Sequence, residues 1–203
     1  MTTSPLAVDD NPASEQPDPT EIRQQLLRAA TEPFLTRGFS ATSIRQIIER
    51  AGVRRPSGIS KIMIGHDVAD AVCNQATARI HRFRPRDVDD LIAMLVTWTE
   101  VAMARPGWVR LELELAAHGN DGDHRAAQRS SQLRAAVVAL LATVRSGTPA
   151  GTNAEEGRAM DEIRAMLVWS TLIGFVCRNA HNLDVSRAAI AEHIGYVVRF
   201  AVS

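Results

Sequence analysis

Apolar side chains recur every three to four positions through most of this chain, the spacing that puts them on one face of a helix. Ile22, Leu26, Ala29, Ala30 and Phe34 trace the first such face. Asp18 and Pro19 stand where an N-cap and a first helical residue belong, with Glu21 three places after the cap. Gly38 ends the pattern, and Pro33 inside it predicts a kink or an early end, because an interior proline removes a backbone hydrogen bond. Ile44, Ile47 and Ile48 are the buried face of a second helix, Ser43 to Arg50, which Thr42 can cap. The Ala51-Gly52-Val53 turn offers the left-handed backbone that a tight helix–helix connection requires. A short third helix is expected from Arg54 to Lys61. Gly65 would break the chain before a fourth, from about His66 to Phe83.

Past Pro85 a second series begins. Val88, Leu91, Ile92, Leu95 and Trp98 keep helical spacing, and Arg105-Pro106-Gly107 interrupts it. Leu111, Leu113 and Leu115 alternate with Glu112 and Glu114, as a strand would. Helix is the better reading of Trp108 to Ala117, since Leu, Glu and Ala favour helix and no pairing strand lies nearby. Gly119 to Asp123 reads as a polar turn. A long helix follows on Leu133, Val137, Leu140, Leu141 and Val144, and residues 146–154 read as a loop. Two helices close the sequence, from about Glu155 to Asn179 and from about Val185 to Val202. The first of these is apolar around nearly its whole circumference, which demands cover on all sides. A second copy of the chain supplies that cover through Met166, Trp169, Ile173, Ile194 and Val197; a central core helix of a monomer is the other reading.

Composition narrows the class. The chain has 203 residues, 45% of them hydrophobic, enough for a real core. Residues 1–17 are rich in Pro, Ser, Asp and Thr and read as a flexible tail. No secretory signal and no membrane span is visible, and Cys73 and Cys177 lie far apart in apolar helical sequence. The expectation is a cytoplasmic, all-α protein with no disulfide and no membrane partner. Net charge is zero, but the charge is unevenly placed. From Glu21 to His66 eight basic residues stand against three acidic ones, a net of +5. Such a basic block is an electrostatic footprint for phosphate.

The string LLRAATEPFLTRGFSATSIRQIIERAGV, beginning at Leu26, resembles the start of TetR-family transcriptional regulators. The likeness rests on Ala29, Ala30, Phe34, Gly38, Phe39, Thr42, Ser43, Ile47, Ala51, Gly52 and Val53. It implies a three-helix helix-turn-helix DNA-binding head (18–80) on a helical ligand-binding and dimerisation body (81–203). It also implies a homodimer, double-stranded DNA as partner, a small-molecule effector, and repression as the commoner mode. After Val53 the chain departs from the family pattern. The usual Tyr is absent, with Ile59 or Ser60 nearest. Met63 stands where a Phe is usual, and Gly65-His66-Asp67 replaces Ser-Lys-Glu, so His66 takes the place of the phosphate-facing Lys.

In such a head the second helix crosses the DNA backbone and the third enters the major groove. Thr42 and Ser43 would offer hydroxyls and N–H groups to phosphate, and Arg54 and Arg55 would reach base edges or flanking phosphates. Ser57, Gly58, Ser60, Lys61 and His66 complete the candidate contact set. In the body Met94, Trp98, Met103 and Trp108 suit either an apolar ligand pocket or plain core.

Enzymatic readings are weaker. His118, Asp121, Asp123 and His124 cluster in HGNDGDH but lack the i, i+4 spacing of a zinc helix. His66-Asp67 resembles the His-Asp doublet of metal phosphohydrolases without its companion motifs. No nucleophile elbow, P-loop or dinucleotide glycine motif occurs, so no catalytic residue, cofactor or metal is assigned. A helical dimer binding ligands or proteins through a degenerate head is the alternative to a DNA-binding regulator.

Overall fold

The computed structural model describes residues 18–54, 57–104, 107–118, 123–145, 154–180 and 185–203. Among these every regular element is a helix: α1 (Pro19–Thr36), α2 (Ile44–Ala51), α3 (Lys61–Arg82), α4 (Val88–Ala104), α5 (Gly107–Ala116), α6 (Asp123–Val144), α7 (Ala154–Ala180) and α8 (Arg187–Val202). The flexible tail expected at 1–17 lies outside the described residues, as do the turn expected at 119–123 and the loop expected at 146–154 except for their last residues, Asp123 and Ala154, which open α6 and α7.

Local chemistry explains the first boundaries. The Asp18 side chain accepts from the Thr20 N–H, and Pro19 opens α1. The helix runs through Pro33 to Thr36, contrary to the early end expected there. Pro33 sits on the buried face with Leu26, Ala29, Ala30 and Phe34, so packing holds a turn that propensity alone would lose. Ser43, rather than Thr42, caps α2. Its hydroxyl accepts from the Gln46 N–H, and the Gln46 side chain accepts from the Ser43 N–H in a reciprocal box. Gly52 closes α2 in the left-handed conformation, φ 66°.

The short third helix expected from Arg54 to Lys61 is not formed among the described residues, and the fourth begins earlier than expected. Ser60 caps a single helix that starts at Lys61 and continues through Gly65 to Arg82. Residues 53, 54, 57, 58, 59 and 60 are not helical, and Arg55 and Pro56 lie outside the described residues. Gly65 serves contact, not interruption: a Cβ there would meet Leu115 at 2.8 Å and Phe39 at 2.9 Å.

Two main cores are stacked along α3. The first gathers Leu26, Ala30 and Phe34 of α1, Phe39, Ile47 of α2, Ile64 and Val68 of α3, and Leu111 and Leu115 of α5. The second joins Cys73 and Ile80 of α3 to Leu91 and Leu95 of α4, Leu133 and Leu140 of α6, Val168 and Leu172 of α7, and Ile190, Ile194 and Val198 of α8. Helix α5, which has the helical form expected over the strand, thus belongs to the first core although it lies far along the sequence. It touches α1 directly. A Cβ on Gly107 would fall 1.8 Å from the Leu35 carbonyl oxygen, so only glycine permits this approach.

An ion network ties the two parts. Arg23 of α1 grips both oxygens of Asp67 at 2.7 Å. Arg125 of α6 bonds Asp67 at 2.8 Å and also reaches Asp70. Arg129, one turn further on, donates to Asp70 at 2.7 Å and forks onto both oxygens of Glu112 at 2.6 Å. Arg129 is only 4% exposed, so its three charge-assisted bonds are what make its burial tolerable.

Candidate nucleic-acid interface and ligand cavity

The face that would meet DNA is built from the start of α2 and the turn leading to α3. Ser43 is exposed at the α2 N-terminus; the capping box engages its N–H and the Gln46 N–H, which leaves its hydroxyl proton and the N–H groups of Ile44 and Arg45 to face an anion. Arg45 projects from the first turn, 87% exposed, with Glu49 at 2.7 Å. Arg54 and Ser57 are exposed, and Gly58 lies in an open turn at φ 80°. Arg54 has no carboxylate partner among the described residues. Arg55 lies outside them.

Three of the predicted contacts are turned inward. Thr42 is 1% exposed, and its hydroxyl donates to the Gly38 carbonyl at 2.9 Å. Its N–H bonds the Phe39 carbonyl, so neither group is free for phosphate. Lys61 donates to the Phe39 carbonyl at 2.9 Å and lies 4.2 Å over that ring, a cation–π contact that fixes the head's turn. His66 is 5% exposed, and neither ring nitrogen has a hydrogen-bond partner among the described residues. Burial first, then the nearby Arg129 and Arg125, hold its pKa below the ordinary histidine value. It does not take the role of a phosphate-facing lysine. Ser60 is the α3 N-cap, its hydroxyl accepting from the Met63 N–H.

The same facts dispose of the His-Asp doublet. Burial opposes ionisation of Asp67, but hydrogen bonds from Arg23 and Arg125 outweigh it and keep the carboxyl below the usual range. Its oxygens are therefore held by guanidinium groups. Of the HGNDGDH cluster, His118 donates from Nδ1 to the Glu114 carbonyl, 2.6 Å away, while 119–122 lie outside the described residues. Among the described residues no three metal-ligating side chains converge.

A cavity of about 890 Å³ opens between the head and the body. Its wall includes Leu35 and Thr36 of α1, Cys73 and Arg79 of α3, and Leu133 of α6. The chain's three tryptophans line it together. Trp98 and Trp169 have ring centroids 5.8 Å apart, Trp108 and Trp169 6.3 Å, and Trp98 and Trp108 6.4 Å. Trp98 and Trp108 thus sit where a pocket was expected. Met94 and Met103 do not line it. Both pack against the body core, and the Met103 carbonyl accepts from Asn179.

The expected interface residues divide. Ile194 is 1% exposed in the body core, Trp169 turns into the cavity, and Ile173 and Val197 are half-buried. Met166 is exposed as expected. Helix α7 is not apolar-buried all round: Ala165, Val168, Leu172 and Val176 face inward, while Met160, Ile163, Met166 and Leu167 face out. Tyr196, 77% exposed, and Phe200, 56% exposed, extend this apolar surface on α8.

Two things escaped sequence reasoning. One is the contribution of α1 and α3 to the cavity. The other is the ion network, whose only sequence signal is the paired spacing of Asp67/Asp70 and Arg125/Arg129 on helices not known to touch.

Comparison with known proteins defines the class in terms of fold. GusR of Salmonella enterica superposes with a TM-score of 0.65 at 16% identity, covering 91% of this chain and 97% of that one. A Mesorhizobium loti protein described as a TetR-family transcriptional regulator gives 0.62 at 14% identity, over 90% and 95%. A Clostridium perfringens protein described as a fatty acid metabolism regulator gives 0.54 at 12%, over 88% and 98%. Identities this low speak for the fold alone, an all-α fold shared over most of the chain. Residues 26–57 in addition match the family model of bacterial regulatory proteins, tetR family, so the amino-terminal segment is similar to that family. No curated protein sequence matches the chain.

Proposed function

We propose that this chain is a homodimeric, effector-responsive transcriptional regulator, acting in the cytoplasm as a repressor on a palindromic DNA operator. The observation that carries the reading is the cavity, because its wall is shared by α1 of the head and by α4, α5 and α7. A ligand seated there contacts both parts at once. It shifts the head only as far as it prefers one placement of α1 over another, and couplings of about 1–3 kcal/mol are typical.

In this reading the head is 18–80 and the body 81–203. Phosphate meets Ser43 and the α2 N-terminus, and Arg54 and Arg55 read the groove with Ser57 and Gly58. The outward apolar residues of α7 and α8 support pairing with a second copy, which sets two heads at a fixed spacing. No reaction is assigned.

Selection from random duplexes at low salt tests the proposal. An enriched palindrome is expected, bound less tightly as salt rises. Arg54→Ala with Arg55→Ala should weaken binding at least about tenfold, the size of a lost bidentate contact, with helicity unchanged. Absence of an enriched palindrome overturns it. A second reading then stands, a helical dimer that binds ligands or proteins through a degenerate head. The inward-turned Lys61 and His66 and the non-helical residues ahead of α3 favour it.

A further inference from the structure

We infer that the cavity takes a planar aromatic carboxylic acid, its ring system against the three tryptophans and its carboxylate on Arg79. The inference rests on the reading of this cavity as an effector site. Its volume, about 890 Å³, lies in the range of drug-sized ligand pockets. Trp98, Trp108 and Trp169 pack on one another with ring centroids 5.8–6.4 Å apart, one contiguous indole wall of the cavity on which a flat aromatic body can stack or meet an edge.

An indole wall also attracts cations, so the charges around it decide the sign. Both acids of the wall are already engaged. Glu112 gives both oxygens to Arg129 at 2.6 Å, and Glu32 is held by Arg50 at 2.6 Å. The cation Arg110 is likewise engaged, by Glu114 at 2.7 Å. Arg79 alone among the charged groups of the wall has no partner among the described residues. It is exposed, so it stands at the mouth while the tryptophans are half-buried. A ligand with an apolar aromatic body and one negative end fits that polarity; a cation would meet an uncompensated guanidinium.

Intrinsic fluorescence reads the site directly, because the chain's three tryptophans all line it. Three probes of equal bulk are titrated against the full chain: 2-naphthoate, its methyl ester and 2-naphthylmethylammonium. The acid is expected to bind about tenfold more tightly than the ester, the worth of a charge-assisted hydrogen bond, and more tightly still than the cation. The preference should shrink as salt rises, since Arg79 is exposed. In R79Q acid and ester should bind alike. Equal binding of acid and ester to the wild type, or a preference for the cation, overturns the inference and leaves the effector site standing. Binding of none of the three overturns both.

Discussion

Replacing Arg129 by methionine should destabilise the chain by about 3 kcal/mol, the lower end of what removing one partner of a buried ion pair costs. The lower end applies because the two acids left behind are not fully buried. The Asp70 side chain is 35% exposed and that of Glu112 28%, and Asp70 keeps Arg125. At about 2–4 °C per kcal/mol for a chain of this size, Tm should fall by about 6–12 °C in thermal unfolding. Arg23→Met is the control. Arg23 also forks onto a carboxylate, but its side chain is 60% exposed, and exposed pairs contribute at most about 1 kcal/mol. The double variant R129M/E112Q should be milder than the sum of its parts by about 1 kcal/mol, since one stranded charge has been removed. Should R129M melt within about 2 °C of wild type, or R23M cost as much as R129M, burial would not be what separates these two ion pairs, and the reasoning from it would fail.

Gly107→Ala should force α5 away from α1, because its Cβ would lie 1.8 Å from the Leu35 carbonyl oxygen. Backbone overpacking of this kind costs about 3 kcal/mol or more, read as a Tm loss, and an unchanged Tm would refute the close approach. His66→Phe should flatten the pH dependence of stability below neutrality. With its pKa depressed in the fold, the unfolded chain binds more protons, so stability is full above the ordinary histidine value of about 6.5 and falls as pH drops below it. Wild-type Tm should therefore decline between about pH 7 and 5 more steeply than that of the variant, and parallel slopes would contradict this. Asp67 acts in the same sense, but only at pH below the ordinary carboxylate range. Sedimentation at micromolar concentration should show a dimer for the wild type and a monomer for Ile163→Lys with Leu167→Lys. A monomeric wild type would remove α7 and α8 as an interface.

The sequence makes the helices legible wherever apolar periodicity and capping chemistry agree. Asp18-Pro19 opens α1, Gly52 closes α2, and the Leu/Glu run after Trp108 is helical. It misleads where local punctuation meets tertiary packing. Pro33 and Gly65 read as breaks, yet one is buried beside Phe34 and the other is the space into which Leu115 and Phe39 pack. Residue type nominates a contact, but type does not fix direction. Thr42, Lys61 and His66 are polar enough to face DNA, but each is drawn inward by a carbonyl, a ring or the core. Trp98 and Trp108 are recognisable as lining because bulky aromatics on the faces of neighbouring helices have few other places to go. Arg79 is not, since its meaning depends on which charges elsewhere have already found partners.

Helix α3 gives its first turns to one core and its last to the other, with no linker between. Its 22 residues make a rod about 33 Å long. Such a rod has no joint at which the amino-terminal part could swing alone. A tilt of about 6° imposed near Cys73 and Ile80 would carry the Lys61 end about 2–3 Å, over a lever of about 18–28 Å. The molecule is geared for small rotations amplified by leverage, and not for the opening of a hinge.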